Sequence, residues 1–344
     1  MRTSNIAYLP PPPDNFEGWP WTSTRSFTPG SGTGLGELPS IGIVVPSFNQ
    51  GRYLEATLRS IFLQGYSKRT VVVMDGGSHD ESVDILRKYD KLLSYWVSAP
   101  DAGQSDGIAR GMARLQSDWC GWLNSDDLLL PGALTAVAAH IRQHPECSWI
   151  AGDGVFVKED GETEIFVQRS ASYAFEELLD YGADKFLPQP SVFFRRNLFN
   201  QVGGIDLALR YSMDLDLWLR MRAETSLCHM PVSLSRLRQH DDAKTVRDNE
   251  RAMGEIYAVV KKYATSCRLS TRVRVLVQMR KRLAAGACVA ALAAHFRGER
   301  GNALRGLARA ALTYPPIVLE RGFAAVLARA GLPMVVRQRL LERP

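Results

Sequence analysis

The 344-residue chain predicts an α/β fold, a mostly parallel, doubly wound sheet flanked by helices and followed by a basic helical extension. Three observations carry that prediction. Short apolar runs, rich in β-branched and aromatic residues, recur at Ile41–Val45, Val71–Met74, Tyr95–Val97 and Trp119–Leu123. Stretches with apolar residues at helical spacing lie between them, such as Leu54, Leu58, Ile61 and Phe62, so strands and helices alternate as in parallel βαβ units. Each apolar run also stops at a polar turn, and in open α/β sheets ligands bind beyond the carboxyl ends of the strands.

Taken in order, residues 1–39 are rich in Pro, Gly, Ser and Thr, including Pro10–Pro13 and Gly30–Gly36, and read as an extended arm. Trp19, Trp21 and Phe27 are the residues that could pin it to the body. Residues 40–250 hold the alternating pattern. The first strand ends at Pro46-Ser47-Phe48-Asn49, the second at Asp75-Gly76-Gly77-Ser78, and the third before Asp101-Ala102-Gly103-Gln104-Ser105-Asp106. The fourth ends at Asn124-Ser125-Asp126-Asp127, with a helix expected near Leu130 because Pro131 suits a first turn. Two more strands are expected at Trp149–Val157 and Glu164–Gln168, as a hairpin around Glu159-Asp160-Gly161. From residue 251 to 344 the chain reads as helical and basic.

Adjacent carboxylates at Asp126 and Asp127 repel in a dry site. A hard divalent cation, Mg²⁺ or Mn²⁺, relieves that repulsion through oxygen ligands. The competing reading of Asp126 is a helix cap. No GxGxxG follows the first strand and no GxxxxGK[ST] occurs anywhere, which disfavours a dinucleotide redox enzyme or a P-loop nucleotidase.

Composition narrows the class. Apolar content of 45% and charged content of 23% are those of an ordinary globular protein. The net charge of +6 hides an asymmetry: from Glu255 onward there are 17 Lys+Arg against 4 Asp+Glu, which leaves 25 against 32 before it. An acidic body with a basic tail argues against a nucleic-acid-binding surface. Five scattered cysteines without a CxxC pair predict neither a disulfide framework nor a zinc site, and suggest a reducing cytoplasm. No signal pattern is visible and no stretch reaches about 18 consecutive apolar residues, so neither export nor a membrane span is expected.

Four motifs in register, Val-Val-Pro-Ser-Phe-Asn, Met-Asp-Gly-Gly-Ser-His-Asp, Asp-Ala-Gly-Gln-Ser-Asp-Gly and Trp-Leu-Asn-Ser-Asp-Asp, resemble glycosyltransferase family 2 over roughly residues 40–245. The resemblance implies the GT-A fold, a nucleoside-diphosphate-sugar donor with UDP or dTDP favoured, a divalent cation and an inverting mechanism. By position it implies that Pro46, Ser47 and Asn49 cup the donor's base and ribose, and that Asp75 accepts a hydrogen bond from the base. Asp101, Gln104 and Asp106 would approach the nucleotide. Asp75 equally suits a tight turn and Asp106 an N-cap at Gly107.

Asn124-Ser125-Asp126 stands where the family carries its DxD motif, with an amide in place of the first carboxylate. Asp126 is then the main metal ligand, and Asp127 a second ligand or its support. Gln189 and Ser191 fall in the acceptor-side segment, which equally suits a plain strand entry. Tyr211-Ser212-Met213-Asp214 matches the segment supplying the catalytic base, with Met213 at a glutamate position and Asp214 as the base, or else an N-cap. Asp216 points elsewhere on that helix and pairs with Arg220, four residues on. Arg238, His240 and Lys244 match a loop that closes over the donor diphosphate, although a lone histidine is more often structural.

The expected function is therefore glycosyl transfer to a hydroxyl acceptor in assembly of a cell-envelope or exported glycan. In the extension, Arg297, Arg300, Arg305 and Arg309 interleave with Leu304, Leu307 and Leu312, which suits an anionic membrane surface, an inner-face peripheral location and a lipid-linked acceptor. A solvated extension packed on protein fits the same pattern. Two rival functions stand beside transfer. Asn124 and Met213 leave room for an inactive sugar-nucleotide-binding or scaffold module. A sugar-phosphate nucleotidyltransferase would need a Gly-rich basic loop after the first strand, which Pro46–Gly51 does not supply.

Overall fold

A computed structural model describes residues 6–14, 16–22, 38–181, 185–319, 323 and 327. Phe27 and the glycine-rich stretch at 30–36 lie outside them. The elements run β1 (Ile41–Ser47), α1 (Gly51–Phe62), β2 (Arg69–Asp75), α2 (Ser82–Lys88), β3 (Tyr95–Ser98), α3 (Gln104–Arg114), β4 (Trp119–Trp122), β5 (Leu128–Leu129), α4 (Ala133–Gln143), β6 (Trp149–Val157) and β7 (Glu164–Gln168). They continue with α5 (Phe175–Leu179), β8 (Val192–Arg195), α6 (Arg196–Gln201), α7 (Met213–Glu224), β9 (Cys228–Arg238), α8 (Lys244–Arg247), α9 (Asn249–Ala264), α10 (Leu269–Phe296) and α11 (Arg300–Thr313).

The expected α/β architecture is present. One sheet has the order β3-β2-β1-β4-β8-β6-β9-β5, with β7 added on β6. The first four strands in that order are mutually parallel, and β8 joins them antiparallel to β4. Both β1 and β2 are buried along nearly their whole length, which is why they read as continuous apolar runs instead of alternating ones. The parallel register pairs Ser47 with Asp75 and Asp75 with Ser98, so one row of polar side chains forms at the carboxyl edge.

Two element expectations are corrected. The helix after the Asp126 turn starts at Ala133, past a left-handed Gly132, because Leu128 and Leu129 first run extended as a short strand beside β9. Helix α3 starts at Gln104, which puts Asp106 inside its first turn and leaves Gly103 (φ 108°) as the cap. The hairpin at β6–β7 forms where expected.

The cysteine reading is also corrected. Cys147 and Cys228 form a disulfide, at a sequence separation of 81. Parallel pairing of β6 with β9 sets Ile150 opposite Cys228 and so gathers two cysteines that look unrelated in the sequence. The cysteine argument for a reducing compartment lapses with it.

The chain divides into two compact units, residues 1–178 with 182–246 and residues 179–181 with 247–344. In the second, α11 packs on α10 around Ala284, Ala291, Ala303, Leu307 and Ala310, and α9 also packs on α10. A Cβ on Gly306 would lie 2.9 Å from the Ala291 side chain, so small residues set the close approach of α10 and α11. No helix among the described residues is long and apolar enough to cross a membrane.

Candidate active site

The polar turns that follow β1, β2, β3 and β4 are knitted together at one edge of the sheet. Asp75, 2% exposed, accepts from Ser78 N (2.9 Å), Gly77 N (3.2 Å), Ser78 Oγ (2.5 Å) and Ser98 Oγ (2.6 Å). Asn49 adopts φ 51°, a conformation asparagine tolerates better than most residues. It donates N–H to Ser78 Oγ (2.7 Å) and accepts His79 N–H on Oδ1 (2.9 Å). Asn49 thus fixes the β1 turn against the β2 turn, and Asp75 ties the β2 turn to β3. Ser47 Oγ is buried at the same edge without a hydrogen-bond partner among the described residues, and Pro46 lies beside it on β1.

Asp101 closes on the same edge. Its carboxylate lies 3.2 Å from where a Cβ of Gly76 would stand and 3.3 Å from that of Gly107, so both glycines are needed for the approach. It accepts Gly103 N–H (2.8 Å), and burial raises its pKa above the usual carboxylate range. Asp106 accepts Ala102 N–H (3.2 Å) and so braces the 102–106 loop.

Asn124 is the hub of the next layer. Its Oδ1 accepts from Gln104 Nε2 (2.8 Å), and its Nδ2 donates to Asp127 Oδ2 (3.3 Å) and Gln189 Oε1 (3.4 Å). Lys244 donates to Gln104 Oε1 (3.2 Å) and to the Arg210 carbonyl, and its ammonium stands 5.1 Å from the Tyr211 ring centroid. Lys244 therefore joins the metal-type turn to the segment leading into α7.

Asp126 and His240 meet: Oδ2 lies 3.1 Å from Nε2, and the imidazole is 1% exposed with Nδ1 buried and unpartnered among the described residues. A buried imidazole held against a carboxylate is a fitting donor pair for a divalent cation. Among the described residues no group of three or more His, Cys, Asp or Glu is arranged to hold a metal. The pair would need further oxygen ligands from a diphosphate or water.

Asp127 turns the other way. Its Oδ1 accepts Arg238 N–H (3.1 Å) and the residue is buried, so it braces the turn instead of joining Asp126 as a second ligand. Burial first, then the charge of Asp126, pushes its pKa well above the usual range. Arg238 is likewise committed to structure, donating from Nε to the Asp126 carbonyl (2.9 Å) and lying 4.8 Å from the Tyr53 ring centroid, not in an open loop over phosphate. Burial of the guanidinium lowers its pKa.

On the expected acceptor side, Ser191 is fully buried, with its hydroxyl on the Asp153 carbonyl (2.7 Å) and against Ser235 Oγ (2.7 Å). It has no face for an acceptor. Gln189 Nε2 holds the Trp122 carbonyl (2.7 Å), placing its amide between β4 and Asn124. Asp214 is half-buried in the first turn of α7, where it accepts Leu215 N–H (2.8 Å) and the helix N-terminus favours its charge. Trp218, one turn on, stacks between Trp122 (5.5 Å) and Trp149 (5.9 Å), tying that helix to β4, the strand that leads into Asn124. Met213 is 5% exposed, so an apolar residue suits its place. Asp216 is buried and pairs with Arg220 as expected (2.6 Å).

Several contributors escape sequence reasoning. Thr57 Oγ1 donates to the carbonyls of both Ser125 (2.9 Å) and Asp127 (2.8 Å), shaping the turn that carries Ser125 and Asp126. The Tyr53 ring lies 4.8 Å from that of His240. Phe48, 57% exposed between Ser47 and Asn49, presents an aromatic face at the site's rim. Only Phe48 leaves a trace in the sequence, as an aromatic in a polar turn.

Residues 42–203 match the model of glycosyl transferase family 2. The chain is 27% identical over 198 residues to a PGL/p-HBAD biosynthesis glycosyltransferase of Mycobacterium tuberculosis, covering 55% of this chain and 72% of that protein. It is 22% identical over 218 residues to an uncharacterized glycosyltransferase of Rickettsia typhi, covering 60% of this chain and 66% of the other. Among solved structures, S. aureus TarS 1–349 in complex with UDP-GlcNAc superposes with a TM-score of 0.58 at 12% identity, over 85% of this chain and 88% of that one. The mannosyltransferase PcManGT from Pyrobaculum calidifontis, in complex with GDP-Man and Mn²⁺, gives 0.51 at 15% identity over 89% of each chain. At such identities these two structures speak for the fold.

Proposed function

Residues 42–203 form a glycosyl transferase family 2 domain, and from that premise we propose that the protein transfers a sugar, with inversion, from a nucleoside-diphosphate sugar to a hydroxyl acceptor. The observation that carries the reading is the meeting of Asp126 with the buried His240, beside the polar row of Ser47, Asp75 and Asp101 and linked through Gln104 and Lys244 to the segment before Asp214. UDP or dTDP is the favoured nucleotide; the TarS neighbour holds UDP-GlcNAc and the PcManGT neighbour GDP-Man, which support a nucleotide-sugar donor.

In this reading the β1 and β2 turns receive the base, with Phe48 as a stacking face and Ser47 Oγ as an available polar group. Asp126 and His240 would hold a divalent cation, which when bound neutralises charge on the departing diphosphate. Asp214 takes the proton of the acceptor hydroxyl while that oxygen bonds the anomeric carbon and the bond to diphosphate breaks. Lys244 neutralises phosphate charge from its place beside Gln104.

The acceptor is proposed to be a glycan or lipid-linked hydroxyl in envelope assembly. Exposed Leu269, Val273 and Val277 recur every fourth residue on α10, flanked by exposed Arg272, Arg280 and Lys281, which supports contact with anionic lipid.

The decisive experiment measures nucleotide-sugar turnover with Mn²⁺, Mg²⁺ or EDTA for wild type, Asp126→Ala and Asp214→Asn across UDP-, dTDP- and GDP-sugars. Cation-dependent release of one nucleoside diphosphate, lost in both variants, is the expected result. Donor binding without turnover, even with acceptor extracts, would instead favour a binding module.

A further inference from the structure

The site's most sharply shaped feature, the 124–127 turn, is held from behind by helix α1. Thr57 takes the carbonyls of Ser125 and Asp127, Ser60 Oγ accepts Leu129 N–H (3.1 Å), and Gln64 holds the Leu130 carbonyl (2.9 Å) and accepts Leu134 N–H (3.3 Å). Thr57 and Ser60 lie three residues apart on one face of α1, and Gln64 follows just past its C-terminal cap.

The same helix turn grips the N-terminal arm. Arg59 is 3% exposed, and its guanidinium donates to the carbonyls of Pro20 (3.0 Å), Pro10 (2.7 Å) and Trp21 (3.1 Å), with the Trp21 ring 5.6 Å away. A buried charge that loses such acceptors is costly, so this part of the arm is an integral wall of the unit. The arm reaches the turn directly as well. Trp19, 8% exposed, donates its indole N–H to the Leu129 carbonyl (2.9 Å). The Leu129 peptide is therefore clamped on both sides, by Ser60 at its N–H and by Trp19 at its carbonyl, two residues beyond Asp127.

We propose that residues 10–14 and 16–22 are a strut for the cation turn, with Trp19 and Arg59 as positioning residues that set the geometry of Asp126. This rests on the reading of Asp126 and His240 as the cation pair. Trp19 touches no reacting group. It acts through β5, whose pairing with β9 at Ser235 and Arg236 leads to Arg238 and the Asp126 carbonyl.

Two readouts test this on the full chain. Trp19→Phe keeps a benzene ring and removes the indole N–H together with the rest of its five-membered ring. Loss of one net hydrogen bond should weaken Mn²⁺ binding, followed by electron paramagnetic resonance of the free ion with UDP present, by about fivefold. Hydrogen–deuterium exchange, which needs no metal, should rise across 124–130 and stay unchanged across β1–β3. Arg59→Gln should show the same pattern more strongly. If exchange rises only within residues 10–22, with the turn protected as in wild type, the arm is a passive cover and the proposal falls. If neither protein binds Mn²⁺, the cation reading fails, while exchange at 124–130 still decides the strut.

Discussion

Replacing Asp214 and Asp216 by asparagine, one at a time, asks different things of a single helix turn. Asp216 Oδ2 accepts Arg220 Nε–H at 2.8 Å and forms an ion pair with Nη2 at 2.6 Å, and the two side chains are 1% and 21% exposed. Breaking a fully buried ion pair costs about 3–5 kcal/mol. Asparagine retains an oxygen acceptor, and Arg220 keeps its bond to the Val202 carbonyl and some solvent, which lowers the expected loss to about 2–3 kcal/mol. For a unit of this size that is a melting temperature lower by roughly 5–10 °C. Asp214 is half-buried, so Asp214→Asn should melt within about 2 °C of wild type. Its turnover should fall by about 10²–10⁴-fold, the usual worth of a general base. Scanning fluorimetry and nucleoside-diphosphate release, run on the same preparations, separate the two effects. The assignment is refuted if Asp216→Asn loses turnover at unchanged stability while Asp214→Asn stays active.

Three further outcomes follow from the geometry. Thr57→Val leaves two carbonyls at the Asp126 turn without their hydroxyl and should destabilise by about 1–3 kcal/mol in denaturant titrations, with weaker turnover. Asp127 has a folded-state pKa raised above its ordinary 3.8, so its ionisation opposes folding: the cost is absent below 3.8, grows as pH rises from there to the folded value, and is complete above it. Asp127→Asn should therefore be the more stable protein at pH 8 without divalent cation, with the gap closing towards pH 4. A wild type that remains the more stable at pH 8 would contradict this. Replacing Leu269, Val273 and Val277 together by Asn should abolish co-sedimentation with phosphatidylglycerol vesicles at unchanged melting, since these side chains are 74%, 53% and 42% exposed. Equal sedimentation of variant and wild type would end the membrane reading.

What the sequence determined by itself is the local and periodic part. Continuous apolar runs mark β1 and β2 because both faces of a parallel sheet are covered, and turn residues mark the strand ends where Ser47, Asp75, Asp101 and Asp126 stand. The spacing of Asp216 and Arg220 fixes their pairing, since residues four apart share a helix face. Everything that depends on which strands become neighbours was decided by tertiary structure. Cys147 and Cys228 are brought together only by the β6–β9 register. Consecutive side chains in a tight turn diverge, so Asp126 faces His240 while Asp127 is spent on Arg238. Ser191 is sealed between β6 and β9, and Arg238 serves carbonyls instead of phosphate, because burial and hydrogen-bond partners are properties of packing. The arm shows the division most clearly. Its composition reads as loose chain, yet a buried Arg59 on α1 needs its carbonyls, and that need cannot be seen until the helix has turned.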